Sequence, residues 1–185
     1  MSLRQGWAVR QDGGALGEEL TYACFFEQSG IHLVRLAYLL LGNVADAEDV
    51  AQEVLEQIYR KWHDIRQDTV MAYARTAVVN RCRSVLRRRE VARRFAPWLV
   101  EPEQQREPAR VEDSWLWDLV QALPRRQREV VVLRYWCDLS EADIARVLGV
   151  NHGTVKSTAH RAHGQLNAWL TEPVDVSIRS RKGRQ

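Results

Sequence analysis

One passage near the C-terminus, LSEADIARVLGVNHGTVKSTAHRAHGQL (Leu139 to Leu166), constrains the fold more than any other. Ser140 with Asp143 three residues on is a capping box that opens a helix. Gly149 ends that helix, because the turn needs a positive φ that glycine adopts without a Cβ clash, and Asn151 caps the next helix. Counted from Glu141, an alanine falls at the fifth place, a glycine at the ninth and a valine at the fifteenth. Ala145 lets two helices approach closely, and Val155 packs beneath the turn. This is the pattern of a helix-turn-helix. In its second helix Val155, Ala159, Ala162 and Leu166 form an inner stripe, so Lys156, Ser157, His160 and Arg161 face outward together, as DNA-reading side chains must.

Upstream, Trp115 to Ala122 predicts a short helix, and Pro124 opens another running to about Cys137. That helix is expected to bury Val130, Leu133 and Trp136. Its VVVL (Val130 to Leu133) is the only β-branched run in the chain and lies inside a helical pattern. Strand signals are otherwise almost absent, so the fold class is all-α.

The first half reads as three or four helices. Glu18 to Gln28 and Ile31 to Leu41 form a pair broken at Gly30 and ended by Gly42. Asn43 caps the next helix, with Asp46 at the capping-box position and Arg60 and Lys61 at the end that the helix dipole favours for cations. Ala47, Val50, Val54, Leu55, Ile58 and Trp62 are its buried stripe. Its other face carries Asp49, Gln52, Glu53, Glu56 and Arg60. Such a face is either plain solvated surface or a protein contact; an acidic ridge repels phosphate, which favours the protein. The connector HDIRQDT (His63 to Thr69) leads to a helix over about Val70 to Val91, with apolar Met71, Ala74, Val78, Cys82 and Val85. Its other face presents Thr76, Asn80, Arg83 and Arg87, prolonged by Arg88 and Arg89. Arginines that fix phosphates beside an amide that can read a base edge suit nucleic acid; a solvated basic helix end is the alternative.

Charge is segregated along the chain. DAEDVAQEVLE (Asp46 to Glu56) has five acids and no base, whereas RCRSVLRRREVARR (Arg81 to Arg94) has seven arginines and one glutamate. PWLVEPEQQREPARVEDS (Pro97 to Ser114) follows, with three prolines and five acids, a composition that resists helix and reads as a linker. The expected organisation is an N-terminal extension (1–20), a helical domain (21–95), a flexible linker (96–114), a helix-turn-helix domain (115–170) and a basic tail (171–185).

Several function classes fall away. No apolar run approaches the roughly 18 residues that span a bilayer, so no membrane insertion is expected. The start MSLRQGWAVRQDGG lacks a secretory pattern. Cys24, Cys82 and Cys137 are widely separated with no CxxC pair, which fits reduced thiols in a cytoplasm. His160 and His163 lack a third ligand nearby, so no metal is assigned. With no nucleophile elbow, P-loop or paired catalytic carboxylates, no enzyme activity and no cofactor are expected. The cations are 24 Arg against 3 Lys, an excess that suits forked contacts to phosphate and guanine and that a GC-rich coding sequence also produces.

Two passages taken together carry a family resemblance. RLAYLLLGNVADAEDVAQEVLEQIYRKW resembles region 2 of bacterial sigma factors, and ALPRRQREVVVLRYWCDLSEADIARVLGVNHGTVKSTAHRA resembles their region 4. With only these two regions and a short linker, the chain resembles the extracytoplasmic-function (ECF) group over about Thr21 to Arg94 and Trp115 to Trp169. The resemblance implies a subunit that binds core RNA polymerase and directs promoter-specific initiation. It implies region 2 on the β′ clamp helices and at the −10 element, and region 4 on the β flap and at the −35 element. Asp49, Gln52 and Glu53 then fall on the clamp-binding ridge. Asn80, Arg83 and Ser84 fall on the −10-facing helix, with Arg87 and Arg88 beside them, and Arg66, Gln67 and Asp68 in the loop that captures an unstacked base. Lys156, Ser157, His160 and Arg161 fall on the −35-reading surface. An anti-sigma protein is a further partner that the resemblance admits. The competing reading is a stand-alone helix-turn-helix regulator, but the first half has neither the α/β pattern nor the acidic pocket of a receiver domain.

Overall fold

The computed structural model describes residues 21–95 and 114–171. The expected N-terminal extension, nearly all of the linker and the tail lie outside these residues. Thr21 starts α1 (Tyr22–Leu41) by accepting a hydrogen bond from the Cys24 amide, and Gly42 ends it at φ 78°. The break expected at Gly30 is absent: α1 is one helix with Gly30 buried inside it. A mid-helix glycine costs roughly 0.5–1 kcal/mol relative to alanine. Burial of Phe25, Leu33, Leu36, Ala37, Leu40 and Leu41 along the same helix offsets that several times over.

Asn43 caps α2 (Val44–Arg60) through its side-chain oxygen, 3.0 Å from the Asp46 amide. α2 buries Ala47, Val50, Ala51, Val54, Leu55 and Ile58, as the spacing requires, with Trp62 partly buried just past its end. A single turn at Gln67–Thr69 leads into α3 (Val70–Phe95), which runs four residues beyond its expected end.

In the second half α4 (Ser114–Ala122) and α5 (Arg125–Val131) precede the helix-turn-helix pair α6 (Glu141–Leu148) and α7 (His152–Thr171). Between α5 and α6 the chain widens into a π-helical turn over Val132–Trp136, in which the Cys137 amide bonds the Val132 carbonyl at 3.2 Å. Five residues per hydrogen bond rather than four rotates the apolar phase. Cys137 therefore takes the buried place expected of Trp136, which is 41% exposed.

The two halves are docked. Val130, Leu133, Cys137, Ile144 and Val147 join Leu33, Leu36, Val78, Val79 and Cys82 in one apolar core. Tyr38 stacks on Trp117 with ring centroids 4.1 Å apart. At the C-terminal end of α1, where carbonyls lack helical partners, Gln121 donates to Leu39 and Arg128 to Leu40. A smaller cluster of Leu123, Val131 and Ala162, with Leu166 and Trp169 against it, fixes α7 to α5. Among the described residues there is no strand, and no helix is long and apolar enough to cross a membrane.

Candidate nucleic-acid and protein interfaces

Because α2 turns its apolar stripe to the core, Asp49, Gln52, Glu53 and Glu56 stand exposed on one ridge. The ridge is cross-linked within and from α3. Gln52 and Arg60 both donate to Glu56, at 3.1 and 3.3 Å. Arg81 pairs with Glu53 and Arg89 with Asp46. The Arg81 hydrogen bond holds the Glu53 carboxyl below the usual carboxylate range.

Between α2 and α3 lies an open groove of about 680 Å³. Asn80 and Ser84 line it together, as expected of neighbours four apart on one helix face. It also brings in Gln57, Tyr73 and Arg81, which the sequence reading left out; Gln57 donates to the Tyr73 hydroxyl at 2.6 Å. Part of the signal was present: Tyr73, Ala77, Asn80 and Ser84 follow at steps of four, three and four, and Arg81 lies four after Ala77.

Arg66, Gln67 and Asp68 are all exposed in the turn before α3, outside the groove lining. Arg66 forks onto Asp68 at 3.2 and 2.8 Å. Arg87 and Arg88 are exposed along the outer part of α3. Arg83 is placed differently. Its side chain is only 14% exposed, turned toward α5, where its guanidinium grips both Glu129 oxygens at 3.0 and 2.8 Å and donates to the Leu148 carbonyl at 3.3 Å. Arg125 and Arg126 reach the same carboxylate. Burial works to raise the Glu129 carboxyl, but the Arg83 hydrogen bond and the three guanidinium charges outweigh it and hold it below its ordinary value.

In the helix-turn-helix, Ser140 caps α6 and Gly149 turns the chain at φ 65°, the positive φ required of it. The Asn151 side-chain oxygen accepts from the amide and the hydroxyl of Thr154, at 2.7 and 2.8 Å, and so starts α7. Val155, Ala159 and Ala162 are buried, and Lys156, Ser157, His160 and Arg161 are all exposed. Arg161 bonds Ser157 on its own helix, at 3.3 Å to the carbonyl. His163 instead meets the Tyr135 hydroxyl at 2.5 Å. Among the described residues no group of three or more His, Cys, Asp or Glu side chains could hold a metal ion. Burial pushes the Cys82 thiol up to about 12 and Cys137 to about 11, so both stay protonated core groups.

An exposed recognition helix on one half, with an acidic ridge and an arginine-bearing helix on the other, defines the class of helical DNA-binding transcription factors. Comparison with known proteins makes the class specific. Residues 25–100 match the Sigma-70 region 2 family and residues 113–166 match Sigma-70 region 4. The chain is 33% identical to the RNA polymerase sigma-E factor of Streptomyces antibioticus over 181 residues, covering 92% of this chain and 97% of that protein. It is 35% identical over 153 residues to the ECF RNA polymerase sigma factor SigM of Mycobacterium tuberculosis (strain H37Rv), covering 81% and 77%. Its fold resembles that of RpoE from Bartonella quintana, solved in complex with the anti-sigma factor NepR, at a TM-score of 0.68 and 22% identity over 85% of this chain and 99% of that one.

The chain belongs to the sigma-70 family, in the ECF group of RNA polymerase sigma factors. It is accordingly a factor that binds core RNA polymerase and promoter DNA and directs transcription initiation. The similarity runs through both halves, which disfavours a stand-alone helix-turn-helix regulator.

Proposed function

We propose that this sigma factor acts in the cytoplasm, without catalysis, through three surfaces. Asp49, Gln52 and Glu53 on α2 dock onto the β′ clamp helices of core polymerase. Asn80 and Ser84 in the α2–α3 groove read the −10 element, with Arg66, Gln67 and Asp68 capturing an unstacked base, Arg87 and Arg88 on the phosphates, and Arg83 joining them once freed from Glu129. Lys156, Ser157, His160 and Arg161 on α7 read the −35 element while region 4 sits on the β flap. The observation that supports this most is the exposure of all four α7 residues on one side of a helix held by Val155, Ala159 and Ala162. Solved neighbours of similar fold carry bound partners: RpoE with the anti-sigma factor NepR, and CnrH with the cytosolic domain of CnrY. On that ground an anti-sigma protein is proposed as a regulator of this chain too.

Run-off transcription with core polymerase on a genomic promoter library tests the proposal. A discrete set of promoters fired only in the presence of this chain is expected; identical transcripts with and without it refute the assignment.

A further inference from the structure

The face of α3 that enters the α2–α3 groove continues well past it. Asn80, Ser84, Arg88, Val91 and Phe95 follow at steps of four, four, three and four. At about 3.6 residues per turn they fall within about 80° of one another around the helix. Of these five, only Asn80 and Ser84 line the groove. Val85 and Leu86 are the last α3 side chains packed against the core, and Arg89, on the Leu41 carbonyl and Asp46, ties the helix down one turn further. From Glu90 to Phe95 every residue is exposed.

That outstanding end carries an apolar pair between cations. Val91 is 50% exposed and Phe95 71%. Single exposed hydrophobics are ordinary, but these two stand on successive turns of the face that bears Asn80. Around them RRREVARRF (Arg87 to Phe95) has five arginines and one glutamate. Arg87 and Arg94, seven residues apart, run along one side of the pair and Arg88 lies on the other, all three exposed. The major groove of duplex DNA has the complementary pattern. It admits an α-helix, phosphates line both its edges, and its floor offers the thymine methyl, an apolar group that phenylalanine and small apolar side chains contact. Fifteen residues separate Asn80 from Phe95, about 22 Å of helix or roughly six base pairs at about 3.4 Å each. The chain runs on from Phe95 toward region 4 and the −35 element, so this end of α3 points upstream.

We propose that Val91 and Phe95 extend promoter recognition into the spacer. They pack on thymine methyls in the major groove of the roughly six base pairs upstream of the −10 element, while Arg87, Arg88 and Arg94 hold the phosphates on either side. This rests on the reading of α3 as the −10 helix.

The test uses holoenzyme reconstituted from core polymerase and the full chain, on a promoter that run-off transcription shows it to fire. Selection from a pool randomised only over those upstream base pairs is expected to enrich thymine at one or two positions. Deoxyuridine, which lacks the methyl, should weaken binding about fourfold at an enriched position, as the loss of one buried methyl does. The double variant Val91→Ala/Phe95→Ala should abolish the enrichment and bind both bases equally. Its circular dichroism melt should match wild type, because both side chains are exposed. Arg94→Ala should instead weaken binding evenly and reduce the salt slope by about one, keeping the thymine preference. A wild-type selection without thymine enrichment overturns the proposal, as does a deoxyuridine penalty that persists in the double variant. A double variant that loses core polymerase but keeps the wild-type upstream selection shows that this face binds protein, and also overturns it. If Asn80→Ala blurs the −10 preference while the double variant changes nothing upstream, the spacer contact alone falls. If Asn80→Ala leaves the −10 preference intact as well, the reading of α3 falls with it.

Discussion

Arg81 of α3 donates its Nε–H to the carboxylate of Glu53 on α2, so one member of the acidic ridge is half-committed within its own domain. Asp49, one turn earlier on the same face, is exposed. The two positions should therefore differ on mutation. Asp49→Lys is expected to leave the thermal midpoint unchanged and to abolish association with core polymerase, because removing a charged partner at an interface costs about 2–5 kcal/mol. Glu53→Lys should lose association and also lower the melting temperature slightly, by placing a cation against Arg81. Co-purification with core polymerase, beside circular dichroism melts, checks both; wild-type recovery of Asp49→Lys would show that the ridge is only solvated surface.

Asn80 and Arg88 sit two turns apart on α3 and should fail in different ways. Asn80 lines the groove with Ser84 and Tyr73, where in this reading it contacts a −10 base edge; strand opening costs a few kcal/mol per unstacked base, which such contacts help to offset. Asn80→Ala is expected to weaken permanganate reactivity of the open complex and to blur −10 preference. Arg88 is exposed and phosphate-facing in this reading, so Arg88→Ala should weaken binding evenly across sequences and reduce the salt slope by about one. An unchanged footprint for Asn80→Ala rejects the reading role.

Local structure was legible where local rules apply. The caps at Asn43, Ser140 and Asn151, the αL turn at Gly149 and the stripe of α2 follow from residue type and spacing alone. Gly30 misled because a glycine's local cost is small beside the burial of the helix around it, and burial is set by tertiary packing. Trp136 misled because a π turn shifts the register without any marker residue. The fate of Arg83 could not be read at all: its partner Glu129 lies 46 residues away, and spacing along one helix says nothing of what packs across it. Gln57 was missed for the same reason, as the groove exists only once α2 and α3 are side by side, whereas Tyr73 shares the readable spacing of Asn80 and Ser84 along α3.

The Glu129 carboxyl gives the docking a pH dependence. Burial raises its pKa, but the hydrogen bond and charge of Arg83, with Arg126 and Arg125, bring it below the ordinary 4.5. A group whose folded pKa is depressed stabilises the folded form above the ordinary value and loses that contribution as pH falls through the folded one. Stability of the wild-type chain should thus hold at neutral pH and decline below about pH 4.5, more steeply than in Glu129→Gln. Denaturant midpoints measured from pH 7 to pH 3 check this; parallel curves for the two proteins would mean that the carboxylate does not carry the effect.

Gly149 isolates a purely conformational cost. Its φ is 65°, and a Cβ built there would meet nothing within 4 Å. Gly149→Ala should therefore destabilise region 4 by about 1–2 kcal/mol from the left-handed backbone alone, with no steric clash to add. Asn, which tolerates that region better, should cost less. Thermal melts of the three proteins set the order Gly, Asn, Ala, and an alanine variant as stable as wild type contradicts the account.

Arg161 supplies the sharpest test of the recognition helix. It is exposed beside Lys156, Ser157 and His160, while Val155, Ala159 and Ala162 hold the opposite side of α7 in the core. Its guanidinium contacts the Ser157 carbonyl through Nε at 3.3 Å and the Ser157 hydroxyl through a terminal nitrogen at 3.5 Å, exposed contacts along its own helix that a base edge can replace. A helix-turn-helix places the N-terminal part of this helix in the major groove, and a forked arginine contact to guanine is worth about 1–3 kcal/mol of discrimination. Arg161→Ala should relax selectivity at one or two −35 positions, a loss of about tenfold to a hundredfold there, and leave −10 preference and polymerase binding intact. If Arg161 served only to hold α7 together through Ser157, the substitution would lower the melting temperature and spare the consensus. Selection of −35 sequences from a randomised promoter pool, run beside a thermal melt, separates the two outcomes.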